Sequence, residues 1–558
     1  MARKLLSGNE AIALGAWEAG VALGCGYPGT PSTEIIEALH GHPDVYTEWS
    51  VNEKVAYEVA LGAAVVGARA LVTMKHVGVN VAADPLFTSA YTGVEGGLVC
   101  VTADDPSMHS SQNEQDNRNY AVAAKLPMFE PADSAEAREF TRAAFELSEE
   151  FDTPVFLRTT TRLSHSKGVV DVDDDAPTPV RRHPELRHNP RKYVMIPANA
   201  RPRRVALEDR WRRLSEAVET HPANRVEEGT SGMGVITSGV SYEHVREVLP
   251  DASVLKLGIV HPLPRRMIEE FAARHETLYV VEELDPVIET QVRAWGIACH
   301  GKDVFPAIGE FSPEVLRAAL GLPAPAGQPS ALPVPPRPPG LCVGCPHANV
   351  FTALRDRDMI VSGDIGCYSL GVLPPYSAMD TLVDMGASLT MAQGMDAVLP
   401  EGDSRRRVAA VIGDSTFAHS GITGLLNAVW NKRDGLYIVL DNATTAMTGT
   451  QPNPLSGERI GREPAPALDY WHLAKAMGIP DENVRVIDGG SKRVIEEAID
   501  DLAERSGVRF LAVIAMCVIE AKDLRKIGGY QQKKERRALI PLTPLATSTG
   551  CCDEGDLL

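Results

Sequence analysis

The sequence predicts an α/β protein with several parallel sheets covered by helices on both faces. Short apolar runs alternate with helical patterns in three blocks of the 558-residue chain, at approximately residues 1–175, 230–320 and 341–530. Such alternation is typical of parallel strands joined by crossover helices. Two stretches rich in proline and arginine or in proline alone, 177–204 and 322–340, separate the blocks. We therefore expect more than one doubly wound domain.

The strands are expected where short runs of aliphatic residues occur. Such runs lie at residues 68–74, 97–101, 234–237, 277–281, 408–412 and 436–440. Parallel strands present their carboxyl ends at one edge of a sheet, where ligands bind in α/β proteins. Polar residues that directly follow these runs are therefore candidates for a functional site.

Six segments follow from these patterns. Residues 1–175, 233–320 and 341–525 are expected to form α/β domains. Residues 176–232 are expected to be an irregular linker and residues 321–340 an extended, proline-rich one. Residues 526–558 are basic near their start and are expected to form a disordered tail.

Composition excludes several classes of protein. The net charge of -19 disfavours nucleic acid and anionic membranes as partners. No apolar stretch reaches membrane-spanning length, and no signal-peptide core follows Met1–Leu6. Nine cysteines in a large chain of this kind predict a cytoplasmic protein whose thiols serve metals or catalysis.

A diphosphate and metal pattern lies in the third block. Gly413, Asp414 and Ser415 follow one predicted strand, and Asn442 follows the next. A right-handed crossover places these strand ends side by side. Carboxylate, amide and main-chain oxygens suit Mg²⁺ shared with phosphates, and we assign the carbonyl to Thr444. The alternative is that Gly413-Asp414 and Asp441-Asn442 only form turns after their strands.

Four cysteines surround this pattern. Cys342 and Cys345 form a C-x-x-C motif, whereas Cys367 lies just after the apolar run 359–361 and Cys517 directly follows the apolar run 510–516, both of which are predicted strands. Four thiolates suit an iron–sulfur cluster or zinc, and a redox pair would also explain the C-x-x-C motif. Three further cysteines lie in or beside apolar runs and are expected to be core residues: Cys25, Cys100 and Cys299.

The diphosphate pattern resembles that of the thiamine diphosphate enzymes, whose signature is Gly-Asp-Gly followed further along by Asn-Asn. The chain departs at Ser415 and Asp441 but keeps Asp414 and Asn442, the metal-binding positions. The resemblance implies a pyrimidine-binding domain at 1–175, a transketolase C-terminal-like domain at 233–320 and a diphosphate-binding domain at 341–525.

Glu53 is the activating carboxylate that this resemblance implies. In the family a glutamate of the pyrimidine-binding domain contacts the aminopyrimidine ring and promotes loss of the C2 proton. The segment from Asn52 to Ala64 is similar to that pattern. The alternative is structural, because Ser50 to Glu53 also fits a capping box at a helix N-terminus.

The cysteine spacing is similar to that of the 2-oxoacid:ferredoxin oxidoreductases, whose four cysteines hold a 4Fe–4S cluster near the thiazolium ring. Segments 26–32, 74–78, 110–116 and 363–368 are similar to the indolepyruvate branch of that family. The resemblance covers roughly residues 5–520. It implies a cluster on Cys342, Cys345, Cys367 and Cys517, and cofactor contacts from Gly413, Asp414, Asn442, Cys367 and Tyr368.

The same resemblance implies a substrate-binding set. Thr30 lies in the Tyr-Pro-Gly-Thr-Pro loop that meets the substrate carboxylate in the family. Arg118 is a second candidate, because guanidinium groups bind carboxylates bidentately. A solvated surface arginine is the alternative for Arg118. Lys75 and His76 either face the cofactor or are plain surface residues.

The implied reaction is oxidative decarboxylation of aryl 2-oxo acids with coenzyme A, giving acyl-CoA, CO2 and reduced ferredoxin. A smaller catalytic subunit is expected to complete a hetero-oligomer, such as two large and two small subunits. The family's C-terminal ferredoxin-like domain is missing, through loss, placement on another subunit, or a truncated or altered reading frame. Alternatives are a non-oxidative thiamine-dependent decarboxylase, a non-catalytic scaffold or electron-transfer subunit, and a zinc-stapled version of the fold.

Overall fold

The computed structural model describes residues 2–173, 179, 184–185, 188–324, 335, 338–400, 407–538 and 540–543. The chain divides into two compact units, Met1–Ala331 and Leu332–Leu558. None of the helices in these ranges is both long and apolar enough to cross a membrane. Each unit is described by itself.

The first unit contains a seven-stranded sheet and a two-stranded antiparallel pair. The pair consists of β1 (Ala2–Ser7) and β8 (Lys167–Val172). The strands of the large sheet are β2 (Leu23–Gly26), β3 (Tyr46–Trp49), β4 (Ala70–Lys75), β5 (Leu98–Asp104), β6 (Met128–Phe129), β7 (Val155–Thr160) and β12 (Ile259–His261). They are ordered β12-β6-β7-β5-β4-β2-β3, and every pair is parallel except β12 with β6.

Helices cover both faces of this sheet. They are α1 (Gly8–Glu18), α2 (Thr33–His40), α3 (Glu53–Val65), α4 (His76–Thr92), α5 (Arg118–Ala124), α6 (Ser134–Glu150) and α7 (Thr161–His165). Side chains on opposite faces of β5 and β7 belong to separate cores: Val99 and Leu157 pack with Phe145, whereas Cys100 and Phe156 pack with Tyr57. This alternation is the period-two pattern of a strand buried on both faces.

A four-stranded sheet follows in the same unit. Its strands are β9 (Arg225–Glu227), β10 (Met233–Ser238), β11 (Ser253–Leu257) and β13 (Thr277–Val281), in the order β13-β10-β11-β9. Only β9 is antiparallel to its neighbour. The accompanying helices are α8 (Pro190–Tyr193), α9 (Pro197–Ala217), α10 (Gly239–Val248), α11 (Arg265–Ala272), α12 (Val287–Ala294) and α13 (Pro313–Ala319).

Helix α9 differs from the irregular linker expected over 176–232. Its sequence is rich in arginine, and two of these arginines hold the helix in place. Arg203 donates to the Tyr91 carbonyl at 2.7 Å, and Arg210 donates to the Ala90 carbonyl at 3.1 Å. Both carbonyls belong to the last turn of α4, where main-chain acceptors lack helical partners and the dipole favours cations. Leu207 and Leu214 complete the contact as buried residues.

The second unit holds a five-stranded, fully parallel sheet. Its strands are β14 (Ile360–Ser362), β15 (Val408–Gly413), β16 (Gly435–Asp441), β19 (Val484–Asp488) and β20 (Val508–Ile514), ordered β14-β15-β16-β20-β19. A short hairpin joins β17 (Glu458–Arg459) to β18 (Glu463–Pro464). The helices are α14 (His347–Arg355), α15 (Ala387–Val398), α16 (Asp414–Thr416), α17 (Ile422–Trp430), α18 (Tyr470–Met477), α19 (Lys492–Ala503), α20 (Val518–Lys526) and α21 (Tyr530–Arg537).

The predicted α/β class is confirmed. Each of the six apolar runs singled out in the sequence overlaps a strand, namely β4, β5, β10, β13, β15 and β16. These strands pair in parallel within their sheets.

The segment expected as a disordered tail contains helix α21. Its Lys533 side chain is only 1% exposed and lies 2.5 Å from the Glu520 carboxylate of α20. The local sequence is basic, which is typical of a segment exposed to solvent. The structure differs because acidic partners from elsewhere in the unit surround one side of the helix. Of the predicted tail, residues 539 and 544–558 lie outside the described residues.

Candidate functional site

Four of the predicted site residues follow four neighbouring strands of the second unit. Cys367 comes shortly after β14, Asp414 directly after β15, Asn442 directly after β16, and Cys517 shortly after β20. The strands run in parallel, with Gly413 opposite Leu440 and Asp441 opposite Ile514. Their carboxyl ends therefore share one edge of the sheet.

Asp414 is buried at this edge and held by two hydrogen bonds. Its Oδ1 accepts from the Ser415 amide at 2.8 Å, and its Oδ2 accepts from Asn453 Nδ2 at 3.2 Å. A Cβ on Gly413 would lie 2.5 Å from the Tyr368 ring, so this position has room for glycine only. Sequence reasoning missed Asn453, which lies in a polar loop without a recognisable pattern.

A tight turn carries Asn442 and Thr444. The Asp441 carboxylate accepts from the Ala443 amide at 2.8 Å, and Asn442 Oδ1 accepts from the Thr444 amide at 3.1 Å. Ala443 has a positive φ of 67°, a conformation that costs free energy in a residue with a side chain. Thr444 is also fixed, because its hydroxyl donates to the Gln451 carbonyl at 3.2 Å. Gly413-Asp414 and Asp441-Asn442 do form turns after their strands. These turns also bring buried oxygen atoms that could bind a metal ion to one edge of the sheet.

Two carboxylates interact at this site. Burial, followed by the negative charge of Asp441, raises the pKa of Asp414, while Asn453 and Arg537 act in the opposite direction. A bound divalent cation would stabilise the charged form of both carboxylates. The pair is therefore suited to a site that receives a metal ion.

The four predicted cluster cysteines interact electrostatically. Burial, and then the charges of Cys517, Cys345 and Cys342, raise the pKa of Cys367 to about 11. The Cys345 amide donates to the Cys342 carbonyl at 2.9 Å, and the Cys517 amide donates to the Asn442 carbonyl at 3.0 Å. The hydrogen bond from Cys517 to Asn442 connects the segment that carries Cys517 directly to the turn that follows β16.

Within the described ranges, no group of three or more His, Cys, Asp or Glu side chains is spaced to hold a metal ion. Elsewhere, Cys25 and Cys100 are buried in the first unit's core, and Cys299 is partly buried. These last three positions agree with the expectation for apolar runs.

Asp364 is a second residue whose role sequence reasoning did not predict. It is fully buried, and its carboxylate accepts from the amides of Gly386 at 2.9 Å and Ser388 at 3.0 Å. These amides lie at the N-terminus of α15, where main-chain donors lack helical partners. Asp364 thus anchors the loop that carries Cys367 to a neighbouring helix.

In the first unit, Glu53 is the first residue of α3 and is buried. The helix is capped by Asn52, whose side chain accepts from the Val55 amide at 2.9 Å. Ser50 instead donates to Glu48 at 2.9 Å, so the structure does not contain the capping box considered for Ser50 and Glu53. A Cβ on Gly78 would lie 2.6 Å from Glu53 Cγ, which places the Glu53 side chain against the start of α4.

The loop that carries Thr30 lies against Lys75 at the carboxyl edge of the first unit's large sheet. Thr30 is partly exposed in the loop after β2, and a Cβ on the adjacent Gly29 would lie 3.1 Å from Lys75 Cβ. Lys75 is the last residue of β4. Its ammonium donates to the Ser110 carbonyl at 2.7 Å and lies 3.9 Å from the Asp105 carboxylate. Burial lowers its pKa to about 8, against the opposing effect of Asp105.

His76 and Lys75 are both buried, so the surface alternative does not hold for either residue. His76 Nε2 lies 3.2 Å from the Asn113 carbonyl, in the loop that precedes α5. Burial and the neighbouring Lys75 charge lower the pKa of His76. Both side chains are therefore part of the packed edge of the sheet.

The structure does not support Arg118 as a substrate-binding residue. Its side chain is 1% exposed and pairs with Asp116 at 2.5 Å and with Glu282 at 2.6 Å. Two further bonds reach the main-chain carbonyls of Glu283 at 2.8 Å and Asp285 at 3.0 Å. Neither the substrate-binding nor the solvated interpretation fits, because the guanidinium is enclosed by acceptors of the protein itself.

Comparison with family models gives two matches. Residues 364–513 match the model described as "Thiamine pyrophosphate enzyme, C-terminal TPP binding domain". Residues 14–231 match the model described as "Pyruvate flavodoxin/ferredoxin oxidoreductase, thiamine diP-bdg".

Curated relatives match over nearly the whole chain. The indolepyruvate oxidoreductase subunit IorA of Archaeoglobus fulgidus is 42% identical over 557 residues, covering 94% of this chain and 88% of the relative. The IorA subunit of Thermococcus kodakarensis is 41% identical over 576 residues, covering 95% and 87%. A solved 2-oxoglutarate:ferredoxin oxidoreductase from Magnetococcus marinus aligns over 57% of this chain and 65% of its own, at 16% identity and a TM-score of 0.48.

Proposed function

The chain belongs to the family of indolepyruvate oxidoreductase IorA subunits, and from this premise we propose that it is the large subunit of an aryl 2-oxo acid oxidoreductase. The proposed reaction joins a 2-oxo acid and coenzyme A, and releases acyl-CoA, CO2, one proton and two electrons. The bond between the carboxylate and keto carbons breaks, a thioester forms, and two ferredoxins each accept one electron.

The observation that carries this proposal is the shared edge in the second unit. Asp414 and Asn442 follow adjacent parallel strands, and Cys367 and Cys517 follow the strands on either side. A non-oxidative decarboxylase needs the first two residues but has no use for the cysteines. Their placement beside Asp414 and Asn442 favours chemistry in which electrons leave the substrate.

The buried donor set suits thiamine diphosphate and Mg²⁺. Asp414, Asn442 and the Thr444 carbonyl would hold the cation, since Mg²⁺ prefers hard oxygen ligands shared with phosphate. Gly413 lacks the Cβ that would occupy the space beside the Tyr368 ring, and Tyr368 and Cys367 are the further cofactor contacts. When bound, the thiamine supplies a nucleophilic carbon and an electron sink, and the cluster takes up electrons one at a time.

A 4Fe–4S cluster is the metal group that we assign to Cys342, Cys345, Cys367 and Cys517. Burial, followed by the charges of neighbouring cysteines, raises the pKa of Cys345, Cys367 and Cys517, so a cationic centre would stabilise their thiolate forms. Each thiolate of such a cluster binds its own iron, so the four sulfurs need not converge on one ion as around zinc.

In the first unit, Glu53 would act on the aminopyrimidine ring. Its carboxyl is buried and lies against Gly78, where the helix α4 begins. In this environment Glu53 would hold a proton at the ring nitrogen and so promote removal of the C2 proton. Its position at the first turn of α3 is independent of a capping-box role, because Asn52 caps that helix.

We assign the substrate carboxylate to Thr30 together with Lys75. Thr30 is a hydroxyl donor in the loop after β2, and Lys75 is the cation that packs against that loop. Lys75 replaces Arg118 in this role because Arg118 is enclosed by Asp116 and Glu282. A partly desolvated ammonium gives a charge-assisted hydrogen bond to a carboxylate.

The proposed assembly is cytoplasmic and includes a smaller catalytic subunit. Such a hetero-oligomer, for example two large and two small chains, would pass electrons to ferredoxin or another low-potential acceptor. No contact with nucleic acid or membrane is part of the proposal. The acidic balance of the chain, with a net charge of -19, is consistent with that.

Anaerobic purification of the full chain with a co-expressed small subunit tests the function. We expect about four irons per large chain, a reducible EPR signal, and indolepyruvate-dependent reduction of a viologen only with coenzyme A present. Cys517→Ala is expected to abolish the signal, whereas the matched variant Cys299→Ala keeps it. Zinc or no metal in the intact protein, or aldehyde release without an electron acceptor, would overturn the oxidoreductase assignment.

A further inference from the structure

We propose that Arg537, on helix α21, is a positioning residue for the turn that carries Asn442 and Thr444, and that it acts through Asp441. The inference rests on the proposed metal and diphosphate site. It adds a part of the chain that neither the sequence patterns nor the family models include, because the matched model ends at residue 513.

The central contact is a buried ion pair. Arg537 Nη2 lies 2.6 Å from Asp441 Oδ1, with side-chain exposures of 9% and 0%. Arg537 Nη1 also donates to the Leu455 carbonyl at 2.8 Å. Removing one partner of an ion pair that is buried to this degree strongly destabilises the folded structure, because the other charge remains buried without a counter-charge.

Asp441 determines the shape of the proposed metal-binding turn. In addition to its ion pair with Arg537, the Asp441 carboxylate accepts hydrogen bonds from the Ala443 amide at 2.8 Å and from the Tyr470 hydroxyl at 2.9 Å. The bond to Ala443 holds that residue at its positive φ, which places Asn442 and Thr444 on either side of it. A displaced Asp441 carboxylate would therefore distort the positions of both proposed metal ligands.

The same residue is connected to the cysteine segment. The Asp441 carbonyl accepts from the Ala515 amide at 2.8 Å, and the Asn442 carbonyl accepts from the Cys517 amide at 3.0 Å. Movement of the turn would thus be transmitted to one of the proposed cluster ligands. The main-chain bonds supply a physical route that does not require contact between Arg537 and a cofactor.

Helix α21 is itself fastened by charge pairs. Lys533 lies 2.5 Å from Glu520 and 3.4 Å from Glu458, and Arg536 lies 3.3 Å from Glu458. Glu520 and Lys533 are each 1% exposed. Glu520 belongs to α20, which begins directly after Cys517. Helix α21 therefore packs against the helix that follows this proposed cluster ligand.

Asp441 occupies the position at which the thiamine diphosphate signature has an asparagine. A neutral asparagine needs no cation, whereas a buried aspartate beside Asp414 does, since like charges repel strongly away from water. The chain combines this substitution with an arginine brought in by α21. Arg537 and Asp441 are thus expected to function as one unit.

A double-mutant cycle tests the unit in the full chain co-expressed with the small subunit and stripped of cofactor. Thiamine diphosphate affinity is measured by calorimetry in Mg²⁺. Arg537→Gln and Asp441→Asn are each expected to weaken binding about tenfold or more, because each leaves one buried charge unpaired. The double variant Asp441→Asn/Arg537→Gln is expected to recover to within about threefold of wild type. Lys534→Gln, an exposed position on the same helix, is the matched control and should bind as wild type does.

Hydrogen exchange supplies a readout that does not depend on activity. Positions coupled by binding affect each other reciprocally, so cofactor and Mg²⁺ should slow amide exchange in residues 530–537 of the wild type. In Arg537→Gln this protection should be lost. If Arg537→Gln does not fold, the double variant is compared with Asp441→Asn alone: tighter binding by the double variant shows that the unpaired Arg537 charge disturbs the site, and equal or weaker binding contradicts the positioning role.

The outcomes separate the two hypotheses. If the wild type binds no thiamine diphosphate in Mg²⁺, the proposed function fails. If the wild type binds it and the single variants bind equally well, or the double variant is no better than the weaker single variant, the positioning role of Arg537 is wrong while the proposed function stands.

Discussion

The Arg118 guanidinium at the start of α5 donates a 2.6 Å hydrogen bond to the Glu282 carboxylate, which lies 164 positions further along the chain and directly follows β13. Asp116 lies 2.5 Å from the same guanidinium. Burial opposes the charge on Arg118, but Asp116 and Glu282 stabilise it, so its pKa remains raised. This arrangement connects the large sheet and the four-stranded sheet within the first unit.

Replacing Arg118 with methionine should therefore reduce stability rather than substrate affinity. We expect the free energy of unfolding to fall by about 3–5 kcal/mol, because Asp116 and Glu282 would remain buried without a counter-charge. Urea denaturation of the assembled enzyme measures this, with the exposed Arg142→Met as control. An unchanged stability with a raised KM for the 2-oxo acid would contradict the structural role and restore the substrate-binding one.

Gly78→Ala should impair activation without impairing the helix. Alanine normally favours a helix by about 1 kcal/mol over glycine, but here its Cβ would lie 2.6 Å from Glu53 Cγ and displace that side chain. We expect slower deuterium exchange at C2 of bound thiamine, measured by NMR, with near-normal cofactor affinity. Gly62→Ala in α3 is the matched control, because nothing lies within 4 Å of its added Cβ. Wild-type exchange in Gly78→Ala would argue against Glu53 as the activating carboxylate.

Lys75→Met should weaken recognition of the substrate carboxylate. Loss of one charge-assisted hydrogen bond is expected to raise KM for the 2-oxo acid about 10- to 100-fold, with thiamine diphosphate affinity unchanged. Steady-state kinetics with indolepyruvate, and calorimetry for the cofactor, separate these effects. Lys167→Met, at an exposed position in β8, is the control. An unaltered KM would remove Lys75 from the site and leave Thr30 alone there.

Asn453→Ala tests the residue that sequence reasoning missed. The amide of Asn453 donates to Asp414 at 3.2 Å, and hydrogen bonds to charged groups contribute about 1.5–3 kcal/mol. We expect about a tenfold loss of affinity for thiamine diphosphate in limiting Mg²⁺, partly restored by excess Mg²⁺. Asn431→Ala, on an exposed helix end, should have no effect. Affinity equal to wild type at every Mg²⁺ concentration would show that Asn453 does not orient Asp414.

His261 should make the first unit sensitive to acid. It is buried against Trp211, with ring centroids 4.6 Å apart, and neither ring nitrogen has a hydrogen-bond partner among the described residues. Burial, followed by the charge of Lys125, lowers its pKa to about 3. The pKa of unfolded histidine is about 6.5, so the folded state binds the proton less well. The stabilising contribution is therefore complete above about pH 6.5 and is lost as the pH falls toward about 3.

Urea denaturation of wild type and His261→Phe measures this contribution. The stability of the wild type relative to the variant should decrease by about 2 kcal/mol between about pH 8 and about pH 5. His188→Phe, at an exposed position, should show no such relative change. A constant difference between wild type and His261→Phe across that range would show that His261 titrates normally.

Local sequence patterns were sufficient to predict β15 and β16 and the edge of the second unit's sheet at which Asp414 and Asn442 lie. The runs before Asp414 and Asn442 are apolar and bounded by polar residues, and the right-handed crossover rule then places both residues side by side. The structure has β15 and β16 as parallel neighbours, as predicted. The cap of α3 was less predictable, because Ser50 and Asn52 both suit a helix N-terminus and only backbone geometry selects Asn52.

By itself the sequence determined the α/β class, the positions of six strands along the chain, and the placement of Glu53, Asp414, Asn442 and the cysteines at strand or helix ends. These depend on periodicity and turn chemistry within a few residues. Only the tertiary structure decided the partners of the buried charges. Arg118 with Glu282, and Arg537 with Asp441, pair across long stretches of chain, and the free energy of a buried charge depends on what surrounds it in space rather than on its neighbours in sequence.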